Sequence, residues 1–240
     1  MNVVIDSGNT FSKVGWFENE KLLRYTTRLE FAEMIAEVRS QRPEHVLFSS
    51  VSTTVEEFVH ALDLPSNILS LTPDTPLPVT KNYDTPHTLG ADRIAAATGA
   101  NYLYPQENVL VIDMGTCITY DLVDQMAVFQ GGLISPGVKM RFKAMHTFTK
   151  RLPLVEEEKN PAFIGKSTRS AISSGVMNGV QAEMEGIIAR YRHSYPDLRV
   201  VLCGGDAPFF ESSLKPPIFA VPELVLIGLN RILTYNVSLQ

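Results

Sequence analysis

Short apolar runs halted by an acid and a glycine occur at two places in the chain. Val3-Val4-Ile5 leads into Asp6-Ser7-Gly8-Asn9-Thr10, and Leu110-Val111-Ile112 leads into Asp113-Met114-Gly115-Thr116. A continuous apolar run of this length ending in Asp-x-Gly predicts a buried strand that stops at a turn. Each turn is followed by a second and a third apolar stretch with polar residues between them: 13–17 and 22–26 around Glu18-Asn19-Glu20, and 118–123 and 126–134 in the later copy. That pattern predicts strand, tight turn, strand. The chain therefore reads as two similar halves, with boundaries at 1–105 and 106–240.

The remaining pattern fills in both halves. Phe31, Met34, Ile35 and Val38 recur at spacings of three and four and predict a helix over 29–39, before a strand over 45–50. Thr53 or Thr54 caps a helix through residue 62, with Glu56 and Glu57 in its first turn, and 68–71 is a further strand. Pro73, Pro76, Pro78 and Pro86 exclude regular structure and predict a loop over 72–86. Gly90-Ala91-Asp92-Arg93 then opens an Ala-rich helix that Tyr104-Pro105 ends. In the second half the pattern predicts helices over 138–148, from Ser167 or Thr168 to 191, and over 223–235. Strands over 199–203 and 218–221 complete it, and the first of these runs into Gly204-Gly205-Asp206.

Composition adds mainly exclusions. The chain has 240 residues, 45% hydrophobic and 20% charged, and no unbroken apolar stretch approaches the roughly 18 residues that span a bilayer. No membrane association is expected. The first strand begins within two residues of Met1, which leaves no room for a cleavable leader, so a cytoplasmic location is expected. A formal net charge of -5 argues against sequence-independent binding of nucleic acid. Cys117 and Cys203 lie far apart in apolar stretches and read as buried small residues, and the five histidines lack zinc-site spacing. Lys139, Arg141, Lys143, His146, Lys150 and Arg151 read as a solvated or interface face, and Glu156-Glu157-Glu158 as exposed loop charge.

Taken singly, Asp6-x-Gly8-Asn9-Thr10 also fits an ordinary hairpin turn in which Asp and Asn bond their own backbone. The second copy, with Thr119 and Asp121 after it, and the third glycine turn at 204–206 make loop geometry alone a poor explanation. A carboxylate and several free backbone N–H groups at a strand end suit phosphates and metal ions. In this arrangement the chain resembles the acetate kinase, sugar kinase, Hsp70 and actin superfamily. Within that group it resembles type III pantothenate kinase across nearly its whole length. The motifs are Asp6-Ser7-Gly8-Asn9-Thr10 with Lys13, Gly90-Ala91-Asp92-Arg93, Asp113-Met114-Gly115-Thr116, Gly131-Gly132-Leu133-Ile134-Ser135-Pro136-Gly137, and Thr168 ahead of Ala171-Ile172-Ser173-Ser174-Gly175. Ser7 and Cys117 depart from the usual residues, and neither replaces a motif carboxylate.

The resemblance implies an α/β fold of the duplicated actin-like ATPase, or ribonuclease H-like, kind: two domains with mixed sheets and a nucleotide cleft between them. It implies that Asp6, Ser7, Gly8, Asn9, Thr10, Phe11, Ser12 and Lys13 wrap the ATP phosphates and that Thr116 touches the nucleotide. Tyr83, Gly90, Ala91, Asp92, Arg93 and Thr168 would hold pantothenate, with Asp92 as proton acceptor. Asp113 would bind a monovalent cation, potassium or ammonium, magnesium would accompany ATP, and a homodimer would complete the pantothenate pocket. The implied activity is ATP-dependent phosphorylation of pantothenate to 4'-phosphopantothenate, the first step of coenzyme A biosynthesis.

The chemistry of the residues agrees with these roles. Phosphoryl transfer asks for positioning and charge neutralisation more than covalent work, and Asp6, Asp113, Lys13 and Arg93 supply it. Asp92 in a helix's first turn lies where the helix dipole favours negative charge, although a plain capping role fits the same position. Two alternatives remain open on the sequence: another small-molecule kinase or phosphatase on the same fold, or a non-catalytic regulator. The presence of Asp6, Asp92 and Asp113 counts against the regulator.

Overall fold

The computed structural model describes residues 1–8, 11–211, 214 and 217–239. Chain contacts divide it into two compact units. The first comprises Met1–Gln106, Val123–Gln130 and Glu223–Gln240, and the second Glu107–Leu122 and Gly131–Pro222.

The first unit is built on a five-stranded mixed sheet. Its strands are β1 (Asn2–Ser7), β2 (Ser12–Glu18), β3 (Lys21–Leu29), β4 (His45–Ser50) and β5 (Asn67–Ser70), in the order β3-β2-β1-β4-β5. The β1-β2-β3 meander is antiparallel, and β4 and β5 add in parallel after crossovers through α1 (Phe31–Gln41) and α2 (Val55–Leu62). The crossovers are helical because parallel strands cannot be joined by a short turn. Thr54 caps α2 by accepting from the Glu57 amide, while the Glu57 carboxylate accepts from the Thr54 amide. Val3, Ile5, Val14, Trp16, Met34, Val38, Phe48 and Phe58 form its core.

Helix α3 (Ala91–Leu103) is the Ala-rich helix of the sequence, and small side chains are what its packing needs. It lies against α6 (Leu224–Val237) so closely that a Cβ on Gly228 would overlap the Ala95 carbonyl, and a Cβ on Gly99 would stand 2.5 Å from the Leu224 carbonyl oxygen. Residues Arg93 to Ala100 are all buried as a result. This contact fixes the start of α3, and with it the Gly90–Arg93 segment. The last helix therefore belongs with the first unit. Where the prolines predict only loop, the structure has one short strand, β6 (Thr80–Lys81), and a 3-10 turn at Pro86–Thr88.

The second sheet repeats the order of the first. Its strands are β7 (Val109–Met114), β8 (Cys117–Val123), β9 (Val128–Pro136), β10 (Arg199–Cys203) and β11 (Ile218–Ala220), ordered β11-β10-β7-β8-β9, with β6 parallel to Val128 and Phe129. Exchanging β1 to β5 for β7 to β11 in turn reproduces the strand sequence β3-β2-β1-β4-β5. The duplicated actin-like α/β architecture expected from the resemblance is thus present. The second unit also carries α4 (Val138–Thr147) and the 27-residue α5 (Thr168–Ser194), which buries Ile172, Val176, Val180, Met184 and Ile188 as one stripe. Ser167 caps α5 by accepting from the Ser170 amide. Among the described residues, no helix is long and apolar enough to cross a membrane.

One polar cluster inside the second unit was not legible in the sequence. Glu183 accepts from Arg141 Nη2 at 2.7 Å and from the Tyr120 hydroxyl at 3.0 Å, and Arg141 also donates to Ser135 Oγ at 2.7 Å. Arg141 is thus drawn into this cluster from the stretch 139–151, expected as a solvated or interface face, and Lys139 pairs with Glu157 at 3.4 Å. Burial alone would raise the Glu183 pKa, but hydrogen bonds from Arg141, Ser135 and Tyr120 outweigh it and hold the carboxyl below its usual 4.5. A depressed folded-state pKa stabilises the fold above the unfolded value and loses that contribution as pH falls through the folded value. Glu183→Gln is expected to cost about 1–2 kcal/mol at pH 7. In thermal melts across pH, its deficit against the wild type should close below pH 4.5.

Candidate functional site

The two acidic strand ends are built alike. In β1 and in β7 four buried apolar or amide positions precede a half-buried aspartate, which a buried residue follows. The residue after each aspartate is tied to the neighbouring parallel strand's exit: Ser7 O accepts from Val51 N at 3.2 Å, and Met114 O accepts from Asp206 N at 3.0 Å. Each turn is closed by a glycine amide, Gly8 N donating to Phe11 O at 3.1 Å and Gly115 N to Cys117 O at 3.0 Å. The sequence repeat is therefore a repeat of backbone geometry that leaves a carboxylate at the carboxyl end of a central strand.

In the first unit, β1–β2 pairing sets Asp6 opposite Lys13 and Ser7 opposite Ser12, and Ser12 Oγ donates to Ser7 Oγ at 3.1 Å. Gly8 lies in the turn and Phe11 is exposed just beyond it. Asn9 and Thr10 lie outside the described residues. Burial raises the Asp6 pKa, the Lys13 charge lowers it, and the Asp92 charge raises it again. Asp6, Lys13 and Asp92 thus share one electrostatic neighbourhood. A cation brought to Asp6 would favour its ionised form, which is the environment a metal-bound phosphate supplies.

Asp92 occupies the first turn of α3, where its Oδ1 accepts from the Arg93 amide at 2.9 Å. That oxygen stands 2.5 Å from where a Cβ on residue 90 would be, so Gly90 is required for the carboxylate to fold back over the helix start. Ala91 follows it on the first turn. Arg93 is buried, unusual for an arginine, and its Nη1 donates to the Tyr83 hydroxyl at 3.4 Å. The structure therefore brings Tyr83, Gly90, Ala91, Asp92 and Arg93 together, and Asp6, paired with Lys13 across the β1–β2 ladder, into the field of the same carboxylate.

In the second unit, Asp113 pairs across the sheet with Cys203. A Cβ on Gly204 would overlap the Asp113 Oδ1, and Gly204 has φ of +92, so both space and backbone conformation demand glycine at this third turn. A strand-end carboxylate beside glycine turns offers oxygen atoms that can coordinate potassium or accept hydrogen bonds from ammonium. Thr116 is exposed in the β7–β8 turn, where its carbonyl accepts from the Gly137 amide at 3.1 Å. Thr168 is exposed at the first residue of α5. Asp206, part of the third glycine turn, has its pKa raised by burial, lowered by Lys139 and raised by Glu157. Among the described residues, no group of three or more His, Cys, Asp or Glu forms a metal cage. A magnesium ion carried by nucleotide phosphates does not need one.

Comparison with known proteins bears on what this geometry serves. A protein of Cytophaga hutchinsonii named type III pantothenate kinase is 49% identical over 237 residues, 99% of this chain and all of that protein. Among solved structures, a Campylobacter jejuni protein described as a conserved Baf family transcriptional activator superposes with a TM-score of 0.66 at 22% identity, covering 98% of this chain and 99% of that one. A Listeria monocytogenes protein described as an N-acetylmannosamine kinase superposes with a TM-score of 0.54 at 10% identity, over 98% and 99% of the two chains. At those identities the two structures speak for the fold alone. A family model for type III pantothenate kinase matches residues 2–190, and the chain belongs to that family.

Proposed function

We propose that this protein transfers the γ-phosphoryl group of ATP to the primary hydroxyl of pantothenate, giving 4'-phosphopantothenate and ADP and opening coenzyme A biosynthesis. The observation that carries this reading is the Asp92 carboxylate, folded over Gly90 beside buried Arg93 and felt electrostatically at Asp6. In the reaction the hydroxyl oxygen bonds to the γ-phosphorus and the bond from that phosphorus to the bridging oxygen breaks. The hydroxyl proton passes to the Asp92 carboxylate. Residues Asp6 to Lys13 hold the phosphates, and Thr116 contacts the nucleotide. Tyr83, Gly90, Ala91, Arg93 and Thr168 orient pantothenate. Holding two substrates in register is worth roughly 7–11 kcal/mol, more than a single base contributes, so Arg93 and Tyr83 matter as much as Asp92.

The same reading includes finer features. Magnesium bound to ATP would offset the charge of the phosphates. Potassium or ammonium would sit at Asp113, halves 1–105 and 106–240 would descend from one duplicated unit, and a cytoplasmic homodimer would complete the pantothenate pocket. A coupled assay of ADP release with pantothenate, sugars and polyphosphate as alternative substrates tests the activity. Release is expected on adding pantothenate and is expected to rise with potassium. Release driven by a sugar and not by pantothenate would overturn the assignment.

A further inference from the structure

We propose that Phe129, backed by a hydrogen-bond relay from Asp124 through Gln130 to Asn82, positions Tyr83 and Arg93 for the acceptor substrate. The inference rests on the pantothenate reading above and extends it to residues that no motif contains.

Tyr83 follows β6, a strand of only two residues in a proline-rich segment, which has little local reason to hold one conformation. What holds it comes from the β8–β9 turn more than forty residues downstream. Thr80 N donates to Ala127 O at 3.0 Å and Asn82 N to Phe129 O at 2.9 Å, so these two bonds, at and just after the short strand, end on β9 or the turn before it. The Asn82 side chain donates to Gln130 Oε1 at 2.7 Å, and Gln130 Nε2 donates to Asp124 Oδ2 at 2.6 Å. The other Asp124 oxygen accepts from the Met126 and Val128 amides at 2.8 and 3.0 Å, which fixes the turn itself. One carboxylate thus sets the turn with one oxygen and, with the other, anchors the residue next to Tyr83.

Phe129 acts on the functional side chains directly. Its ring is fully buried and lies 5.9 Å from the Tyr83 ring at 57°, a tilted pairing that aromatic rings favour. The Arg93 guanidinium carbon stands 5.8 Å from both ring centroids. Two aromatic faces at that distance attract the cation and restrict where the guanidinium can point. Such restriction lets Arg93 meet an anionic or hydroxylated substrate without first losing rotamer freedom. Phe129 touches no reacting atom in this scheme and is a positioning residue.

The test separates positioning from plain stability. Phe129→Leu keeps apolar volume and removes the aromatic face, and is expected to raise the KM for pantothenate about 5- to 20-fold with the KM for ATP unchanged. Because Phe129 is buried, Asn82→Ala, at an exposed position, gives an independent arm and should raise the same constant about 3-fold. Calorimetric titration of each variant with pantothenate should show the same losses. Pantothenate KM values within 2-fold of wild type in both variants would overturn the inference, as would equal rises for both substrates. A wild type that binds ATP yet releases no ADP on adding pantothenate would overturn the functional reading and the inference with it, whereas variant-only failures leave that reading standing.

Discussion

Asp92→Asn is expected to lower kcat on pantothenate by about 10²-fold or more while nucleotide binding is retained. The substitution is close to isosteric, and an asparagine side-chain oxygen can still accept from the Arg93 amide, the bond now made at 2.9 Å. The start of α3 is held by its packing on α6 through Ala95 and Gly228, which the substitution does not reach. What disappears is the carboxylate proposed to take the hydroxyl proton. The nucleotide's proposed contacts, from Asp6 to Lys13 and at Thr116, lie outside α3, so a titration with ATP should give an affinity close to wild type. A variant that turns over pantothenate at the full rate would show that Asp92 caps the helix and does no more. The contrast with Phe129→Leu is diagnostic, because loss of a base appears in kcat and loss of positioning appears in the acceptor's KM.

The features that were legible from the sequence are those whose cause is local. The paired Asp-x-Gly strand ends are visible because three or four apolar residues in a row and a glycine turn are short-range signals, and β1 and β7 carry the same burial order as a consequence. The capped helices α2 and α5 follow from Thr54 and Ser167 for the same reason. Residues recognised at long range were not legible. Glu183 meets Tyr120 across 63 positions and Arg141 across 42, and nothing in the composition of α5 marks Glu183 as different from Glu185 two residues further on. Strand β6 is hidden because its bonding partners lie on β9 and the turn before it, while its own neighbourhood is rich in proline. The destination of α6 is hidden as well, since an apolar helix at the end of a chain does not say which sheet it will cover. Gly228 and Gly99 disclose the answer only once α3 is seen against them. In the site, the aspartates and glycines were readable as chemistry, whereas the support behind Tyr83 and Arg93 is tertiary.

Asp6 offers a prediction in which stability and activity move in opposite directions. Its carboxyl ends β1 between Lys13 on one side and Ser49 on the other, and burial raises its pKa above the usual 3.8, with Lys13 opposing and Asp92 adding to the shift. A carboxyl whose folded pKa is raised favours the fold while it is protonated, below the unfolded value. That contribution is lost as pH rises through the folded value. At neutral pH the raised pKa therefore makes Asp6 a burden on the folded protein. Asp6→Asn keeps the shape and does not ionise, so its melting temperature should exceed that of the wild type at pH 7. The gap should narrow as pH falls toward 3.8. The same variant should lose about 10²- to 10³-fold in kcat/KM for ATP, the scale on which removing one preorganised electrostatic contact acts. A residue that weakens the fold when empty and is needed when nucleotide arrives is held for its ligand, a trade between stability and activity common at active sites. Melting curves at three or four pH values, run beside ATP kinetics, decide it: an Asp6→Asn protein that is less stable at pH 7 and fully active would place this carboxylate in the scaffold and remove it from the phosphate site.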